Sequence, residues 1–237
     1  MPAPRPPEVE FEVDLILPEE VWAVIKRSSS PSPLDQIPYH IFKRCPSLDP
    51  ALVDLFNCCW TTAMIPSAWR TAAIKLISKN AATEDPTTLS DFRPIALTPC
   101  TGKLFTTILK NRWLENMLDN GYLNRSIQKA FLTATPGCTE QHTKLATIPS
   151  EARRNNKSLA VSWLDLANAH GSVHHTLIQF AMKHYHAPPR FCLILESLYS
   201  DLSATIITPE WSTPSIPLKI GVYQGDPLSV VVFNTVN

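Results

Sequence analysis

GVYQGDPLSVVVFN, residues 221–234, is the stretch on which the fold turns. Its first residues are extended-type, and Asp226-Pro227 begins a helix, so Gln224-Gly225-Asp226-Pro227 sits at a strand-to-helix junction. Gly225 permits close approach of backbone to a ligand, and the helix start offers free N–H groups. A plain turn before a helix has the same pattern. A second stretch, WLDLANAHGSVHH at 163–175, ends an apolar run on one acid, Asp165, and holds three histidines. A carboxylate among apolar neighbours is unfavourable unless compensated. It has two readings, a cap on the following turn or a metal ligand.

Working outward, 237 residues allow one large domain or two small ones. Apolar residues make up 44%, enough for a buried core, and the formal net charge of zero does not advertise nucleic-acid binding. A local basic groove is still compatible with that sum. The chain has 22 Pro and only 6 Gly, so few positions turn freely at positive φ. None of the six cysteines forms C-x-x-C, and no zinc-type spacing appears; His170, His174 and His175 lack a second ligand pair. No secretory leader or membrane span is recognisable, so an intracellular chain, cytoplasmic or nuclear, with buried free thiols is expected.

Residues 1–8 are Pro-rich and expected to be unstructured. Pro18-Glu19-Glu20 opens a short helix. The loop 28–38, SSSPSPLDQIP, is rich in breakers. Asp49-Pro50 reads as a cap and first turn, with Leu52, Leu55, Phe56 and Cys59 as a helical stripe. Residues 72–79 and the FRPIALT run are extended. Residues 103–123 form the clearest helix, with Leu104, Phe105, Ile108, Leu109, Trp113 and Leu118 apolar and Gly121 as its stop. A helix over 139–154 is expected to break at Pro149. Residues 158–166, SLAVSWLDL, alternate as a strand with Leu159, Val161, Trp163 and Asp165 on one face. Helices at 175–186 and 191–199, paired strands at 204–208 and 216–221, and a last helix from Asp226-Pro227 complete an α+β order.

Together the two motifs resemble the reverse transcriptase domain of non-LTR (LINE-type) retrotransposons, from about residue 30 onward. WLDLANAHGSVHH is similar to the family's first palm motif, and GVYQGDPLSVVVFN to its Gln-Gly-Asp-Pro-Leu-Ser motif. LISK (76–79) and DFRPIAL (91–97) resemble fingers motifs, QKAFLTATPGCTE (128–140) the segment between fingers and palm, and SPSPLDQIP the family's Pro-rich loop. The resemblance implies a right-hand polymerase: an extension at 1–27, fingers at 28–157, and a partial palm at 158–237 with an incomplete antiparallel sheet packed on helices. It implies an RNA-directed DNA polymerase, a nucleotidyltransferase using Mg²⁺, an RNA template, a DNA primer and dNTPs. In that reading Asp165 and the Leu166 carbonyl hold metal, Lys79 and Arg93 contact the triphosphate, His170 packs on the sugar, and Gln224 and Gly225 line the floor under the base pair. On their own residues, Lys79 is equally a solvated strand end, and Arg93 a helix cap or a partner of Asp91. Arg153 to Lys157 is either a solvated turn or a phosphate contact.

The sequence also departs from the family. It contains no adjacent Asp-Asp pair, and Asp226 is its last acid. The resemblance therefore implies a palm cut short before the paired aspartates. One carboxylate holds Mg²⁺ weakly, because the ion prefers several oxygen ligands. His170 stands where the family uses Tyr or Phe. The expectation is a chain inactive by itself, with the alternative of a non-catalytic nucleic-acid-binding or interaction remnant. The last helix would expose Val230, Val231 and Phe233 and drive self-association unless they find a partner.

Overall fold

The computed structural model describes residues 4–29, 37–79, 88–130, 132, 135 and 137–236. Most of the loop SPSPLDQIP, likened to the family's Pro-rich loop, lies outside the described residues, as do the polar loop after Lys79 and part of 128–140. The elements run α1 (Pro18–Arg27), α2 (Tyr39–Arg44), α3 (Asp49–Thr62), β1 (Thr71–Ser78), β2 (Phe92–Leu97), α4 (Cys100–Asp119), α5 (Gly137–Arg154), α6 (His175–His184), α7 (Pro189–Tyr199), β3 (Ser203–Ile206), β4 (Ile216–Pro217) and α8 (Pro227–Val236). This is the α+β arrangement the sequence implies. The sheet itself is mixed rather than antiparallel. Its order is β2-β1-β3-β4, with β1 antiparallel to β2, parallel to β3, and β3 antiparallel to β4.

The core gathers on α4, which is buried along most of its length, with Leu104, Phe105, Ile108, Leu109 and Trp113 all sealed from solvent. Trp113 stacks on Phe191 of α7 at 5.3 Å, and Phe105 meets Phe56 of α3 at 5.6 Å. Burying rings of this size supplies most of the apolar driving force. Gly121, at φ +65°, ends the helix as its spacing predicts.

Of the stretch 1–8 expected to be unstructured, residues 4–8 do not hang free and continue into 9–17. They form a strap pinned by side chains that bond its backbone. Asn120 Oδ1 accepts from the N–H groups of Glu8 (2.7 Å) and Val9 (2.9 Å), Asn57 brackets Ile16, and Trp60 Nε1 donates to the Val13 carbonyl. Phe11 on the strap packs between Trp60, Trp113 and Phe191. Arg112 of α4 locks strap to helix. Its guanidinium donates to both Glu20 oxygens (2.9 and 2.7 Å) and to the Asp14 and Leu15 carbonyls, and lies over the Trp60 ring.

Four further expectations are corrected. Asp49 is not a cap: the 3-10 turn Pro46–Leu48 runs into α3 with Leu48 already helical, so no extended residue turns a side chain back. α5 passes through Pro149 unbroken. α8 does not present its apolar side to solvent: it packs on α4 and α6, burying Val231 and Val232 fully and Val230 and Phe233 in part. Lastly, residues 158–166 form no strand. Alternating residues make a sheet only when a neighbouring backbone supplies bonds, and none of the described strands lies beside them. Trp163 is 76% and Leu164 98% exposed.

Arg112 has a side chain only 3% exposed, so removing it strands the Glu20 carboxylate and two carbonyls. Arg112→Ala is expected to lower stability by about 3 kcal/mol in urea denaturation, and Arg112→Lys to recover only part, since an ammonium cannot reproduce the fork.

Candidate active site

The junction 221–227 is held from three sides. Toward the first palm-like motif, Gly221 N–H donates to the Val173 carbonyl (2.7 Å) and Val222 N–H to the His170 carbonyl (2.8 Å). Gly221, at φ +90°, approaches so closely that an added Cβ would lie 3.0 Å from the Gly171 backbone. Toward the sheet, Ala96 N–H of β2 donates to the Gln224 carbonyl at 2.7 Å. Gly225, at φ +124°, rests on the same strand: a Cβ there would meet the Ala96 oxygen at 2.6 Å and Ile95 Cγ2 at 3.6 Å. From beneath, the Tyr223 hydroxyl reaches the Arg70 and Ser203 carbonyls at 2.8 and 2.6 Å.

Asp226 turns inward and is buried. Its Oδ1 accepts from the N–H groups of Leu228 (3.0 Å) and Ser229 (3.3 Å), capping α8, and its Oδ2 accepts from Thr106 Oγ1 at 2.9 Å. Burial pushes its carboxyl above the ordinary value, against the pull of Thr106, the two amides and Lys103. Asp226 is thus a cap and an anchor to α4, not an open ligand.

The His170 ring stacks on Phe233 at 5.0 Å and 13°, and burial lowers its pKa, which favours the neutral imidazole. His175, at the start of α6, places Nε2 2.9 Å from the Gly221 carbonyl and packs on Tyr199. Sequence reasoning missed His175, Gly171 and Thr106. Their partners lie 46, 50 and 120 positions away, at Gly221 for the first two and Asp226 for the third, and no spacing reports them.

These contacts wall a cavity of about 440 Å³. Ile74, Leu76, Phe92 and Pro94 from one face of the β1–β2 ribbon form one side; Asn168, His170, Gly171 and Gln224 form the other. The structure therefore places His170 and Gln224 in one lining, with Gly225 beside Gln224 against β2. Lys79 and Arg93 are exposed and stand apart from this lining. Arg93 pairs in register with Ile77, on the ribbon face opposite Leu76 and Pro94. Among the described residues Arg93 neither caps a helix nor pairs with Asp91, whose carboxyl is instead held low by Thr88. Asp165 and Leu166 are exposed, two or three residues before Asn168 enters the cavity wall. Asp165 caps nothing among the described residues. No group of three or more His, Cys, Asp or Glu able to hold a metal occurs among them either. Of the cysteines described, Cys59, Cys100 and Cys192 are buried, whereas Cys45 and Cys58 are exposed.

Two outcomes follow from the junction. Gly225→Ala combines a disfavoured φ with a backbone collision and is expected to cost about 3 kcal/mol, against about 1 kcal/mol for Gly121→Ala, which meets open space, both by urea denaturation. The native state binds the Asp226 proton more tightly than the unfolded chain does. Its contribution is therefore fully present below the ordinary carboxylate pKa and is lost as pH rises through the raised value. Asp226→Asn keeps the cap and should flatten that decline, being less acid-favoured than the parent when urea midpoints are compared from about pH 4 to about pH 8.

No family model matches the chain. Among curated proteins it is similar to the retrovirus-related Pol polyprotein of the type-2 retrotransposable element R2DM of Drosophila melanogaster, 28% identical over 233 residues, covering 92% of this chain and 20% of that protein. It is 30% identical over 190 residues to the Pol polyprotein of the type-1 element R2 of Nasonia vitripennis, covering 80% of this chain and 18% of the relative. It is 26% identical over 180 residues to the RNA-directed DNA polymerase of the mobile element jockey of Drosophila melanogaster, covering 76% and 19%. The chain spans about a fifth of the length of these relatives. The alignments and the two joined motifs agree: the chain is a homologue of the R2 and jockey Pol proteins and carries a region related to the reverse transcriptase of non-LTR retrotransposons.

Proposed function

We propose that this chain is part of an RNA-directed DNA polymerase, with residues 1–27 an extension, 28–157 the fingers and 158–237 the first part of the palm. The carrying observation is that His170 and Gln224, from two separate motifs, line one cleft, with Gln224 bonded through its carbonyl to Ala96 of β2 and the His170 carbonyl to Val222 of the same junction. In this reading the site lies along the β2 edge. Gly225 touches both Ala96 of the cavity side and Ile95, which shares the Arg93 face. Arg93 and Lys79 hold the incoming triphosphate as fixed cations. His170, clamped by Phe233, presents a flat neutral ring to the sugar. Gln224 and Gly225 form the floor beneath the base pair. An RNA template and DNA primer lie across the same edge, held largely through their backbones.

Asp165 and the Leu166 carbonyl would hold Mg²⁺, which supplies charge neutralisation on the triphosphate. The donor set fits in kind, an accessible carboxylate beside a carbonyl, but it is short in number. We therefore read the isolated chain as a binder of nucleotide and nucleic acid that does not polymerise, working in a cytoplasmic or nuclear compartment. No helix among the described residues is long and apolar enough to cross a membrane.

A second reading, an interaction module, is favoured by one observation. The exposed apolar run Leu159 to Leu166 is the surface through which association would run, in place of α8. Primer extension on an RNA template with Mg²⁺ and dNTPs tests the first reading. No product is expected from the chain alone, while dNTP binding should fall about tenfold in Arg93→Ala. Extension that Asp165→Ala abolishes would contradict the inactivity, and dNTP binding indifferent to Arg93 would contradict the assigned site.

A further inference from the structure

The backbone of residues 158–166 makes no hydrogen bond among the described residues, and every residue from 153 to 168 is exposed. Both ends of the stretch are nevertheless fixed. Lys157 N–H closes α5 by donating to the Ala152 carbonyl at 2.9 Å, after Asn156 at φ +49°. At the far end Asn168, also at φ +49°, accepts from Ser172 N–H at 3.0 Å. Between these anchors, alternate positions read Lys157, Leu159, Val161, Trp163, Asp165: a cation, an apolar run and an anion. Neither Lys157 nor Asp165 has an ion pair among the described residues.

That order is its own complement when reversed. Lys157 and Asp165 are equally spaced about Val161. Laid antiparallel on a second copy with Val161 opposite Val161, each Lys157 faces an Asp165 and each Leu159 faces a Trp163. Opposite charges and aromatic–aliphatic pairs set directly across from each other are the stabilising unit of a β-ribbon. Sliding the copies by two residues sets Trp163 opposite Lys157, or Leu159 opposite Asp165. A parallel, in-register pair sets Lys157 on Lys157 and Asp165 on Asp165, which like-charge repulsion disfavours. A slip of one residue turns the apolar set to the other face.

We infer that residues 157–165 are a self-recognition strand, through which two copies of the chain pair antiparallel about Val161 with Lys157 of each opposite Asp165 of the other. A two-fold interface requires that residue i meet j and j meet i. The odd positions of this stretch meet that requirement throughout. A partner of another sequence would account for the apolar residues but not for opposite, unpaired charges placed symmetrically about them. The inference rests on the interaction-module reading and names the partner of that surface. A two-stranded ribbon is marginal by itself, so the association is weak, dependent on concentration and reduced by salt.

Sedimentation velocity of the whole chain over about a hundredfold range of concentration tests it, with a monomer–dimer equilibrium expected. Lys157→Asp makes both flanks acidic and Asp165→Lys makes both basic, and each alone should weaken dimerisation about tenfold or more. An equimolar mixture of the two variants should dimerise as the parent does, because each strand again meets its opposite. Amide exchange across 158–164 should slow as the parent is concentrated. Val161→Cys should cross-link to itself on mild oxidation, since directly opposed Cα atoms about 4.5–5.5 Å apart suit a disulfide. Leu164→Cys, opposite Ser158 in this register, should give no more than the background from exposed Cys45 and Cys58. All substituted positions are exposed, so unchanged circular dichroism checks the fold of each variant. A parent chain that stays monomeric overturns the proposal together with the interaction-module reading. Association lost in Trp163→Ser but indifferent to both charge reversals overturns the pairing and leaves that reading standing. A mixture that associates no better than either variant alone also overturns the pairing.

Discussion

Two glycines set the centre of this molecule. Gly221, at φ +90°, comes so near Gly171 that a Cβ on Gly221 would lie 3.0 Å from the Gly171 backbone, while a Cβ on Gly171 would displace the Asn168 side chain. In a chain with only 6 Gly, spending two on one contact marks it as a constraint of the fold. The contact lets Gly221 and Val222 bond to Val173 and His170, which fixes the start of α6, the His170–Phe233 stack and the approach to β2 through Gln224. The cleft is a consequence of backbone meeting backbone. Side chains then decorate it.

Around that junction, polar groups are used where apolar packing cannot reach. Asp226 caps α8 and ties it to Thr106 of α4, so the last helix is held at its first turn as well as along its buried face. At the opposite end, Arg112 gathers Glu20 and two strap carbonyls over the Trp60 ring. Each is a fully engaged group in a place where a half-satisfied one would be costly. They join segments 92 and 120 residues apart in sequence, which short-range propensity cannot do.

The sequence was most legible where structure is local. The stripe of α4, the Gly121 stop, the start of α8 at Asp226-Pro227 and the β1–β2 ribbon all follow from spacing and turn chemistry. Misreadings arose where a partner decides the outcome. The alternation of Leu159, Val161 and Trp163 is that of a strand, yet none of the described strands pairs with it and it stays exposed. Val230, Val231 and Phe233 read as an exposed surface, yet packing on α4 and α6 buries Val231 and covers the other two in part. Asp49 has the composition of a cap, but the 3-10 turn before it supplies helical geometry already. Of the candidate site, the two motifs were readable as motifs, and the structure adds that His170 and Gln224 share a wall. That Arg93 occupies the other ribbon face depends on the β1–β2 register, which the pattern alone leaves unset.

The central claim is that the 168–173 and 221–225 segments and β2 form one locked unit. Amide hydrogen exchange at Ala96, Gly221 and Val222 tests it most directly. These three N–H groups donate at 2.7, 2.7 and 2.8 Å across segment boundaries. The account predicts that they exchange only through global unfolding, with protection equal to the most protected amides of α4. Exchange of any of the three at the rate of the exposed 158–166 amides would show that the junction opens on its own, and the account would fail.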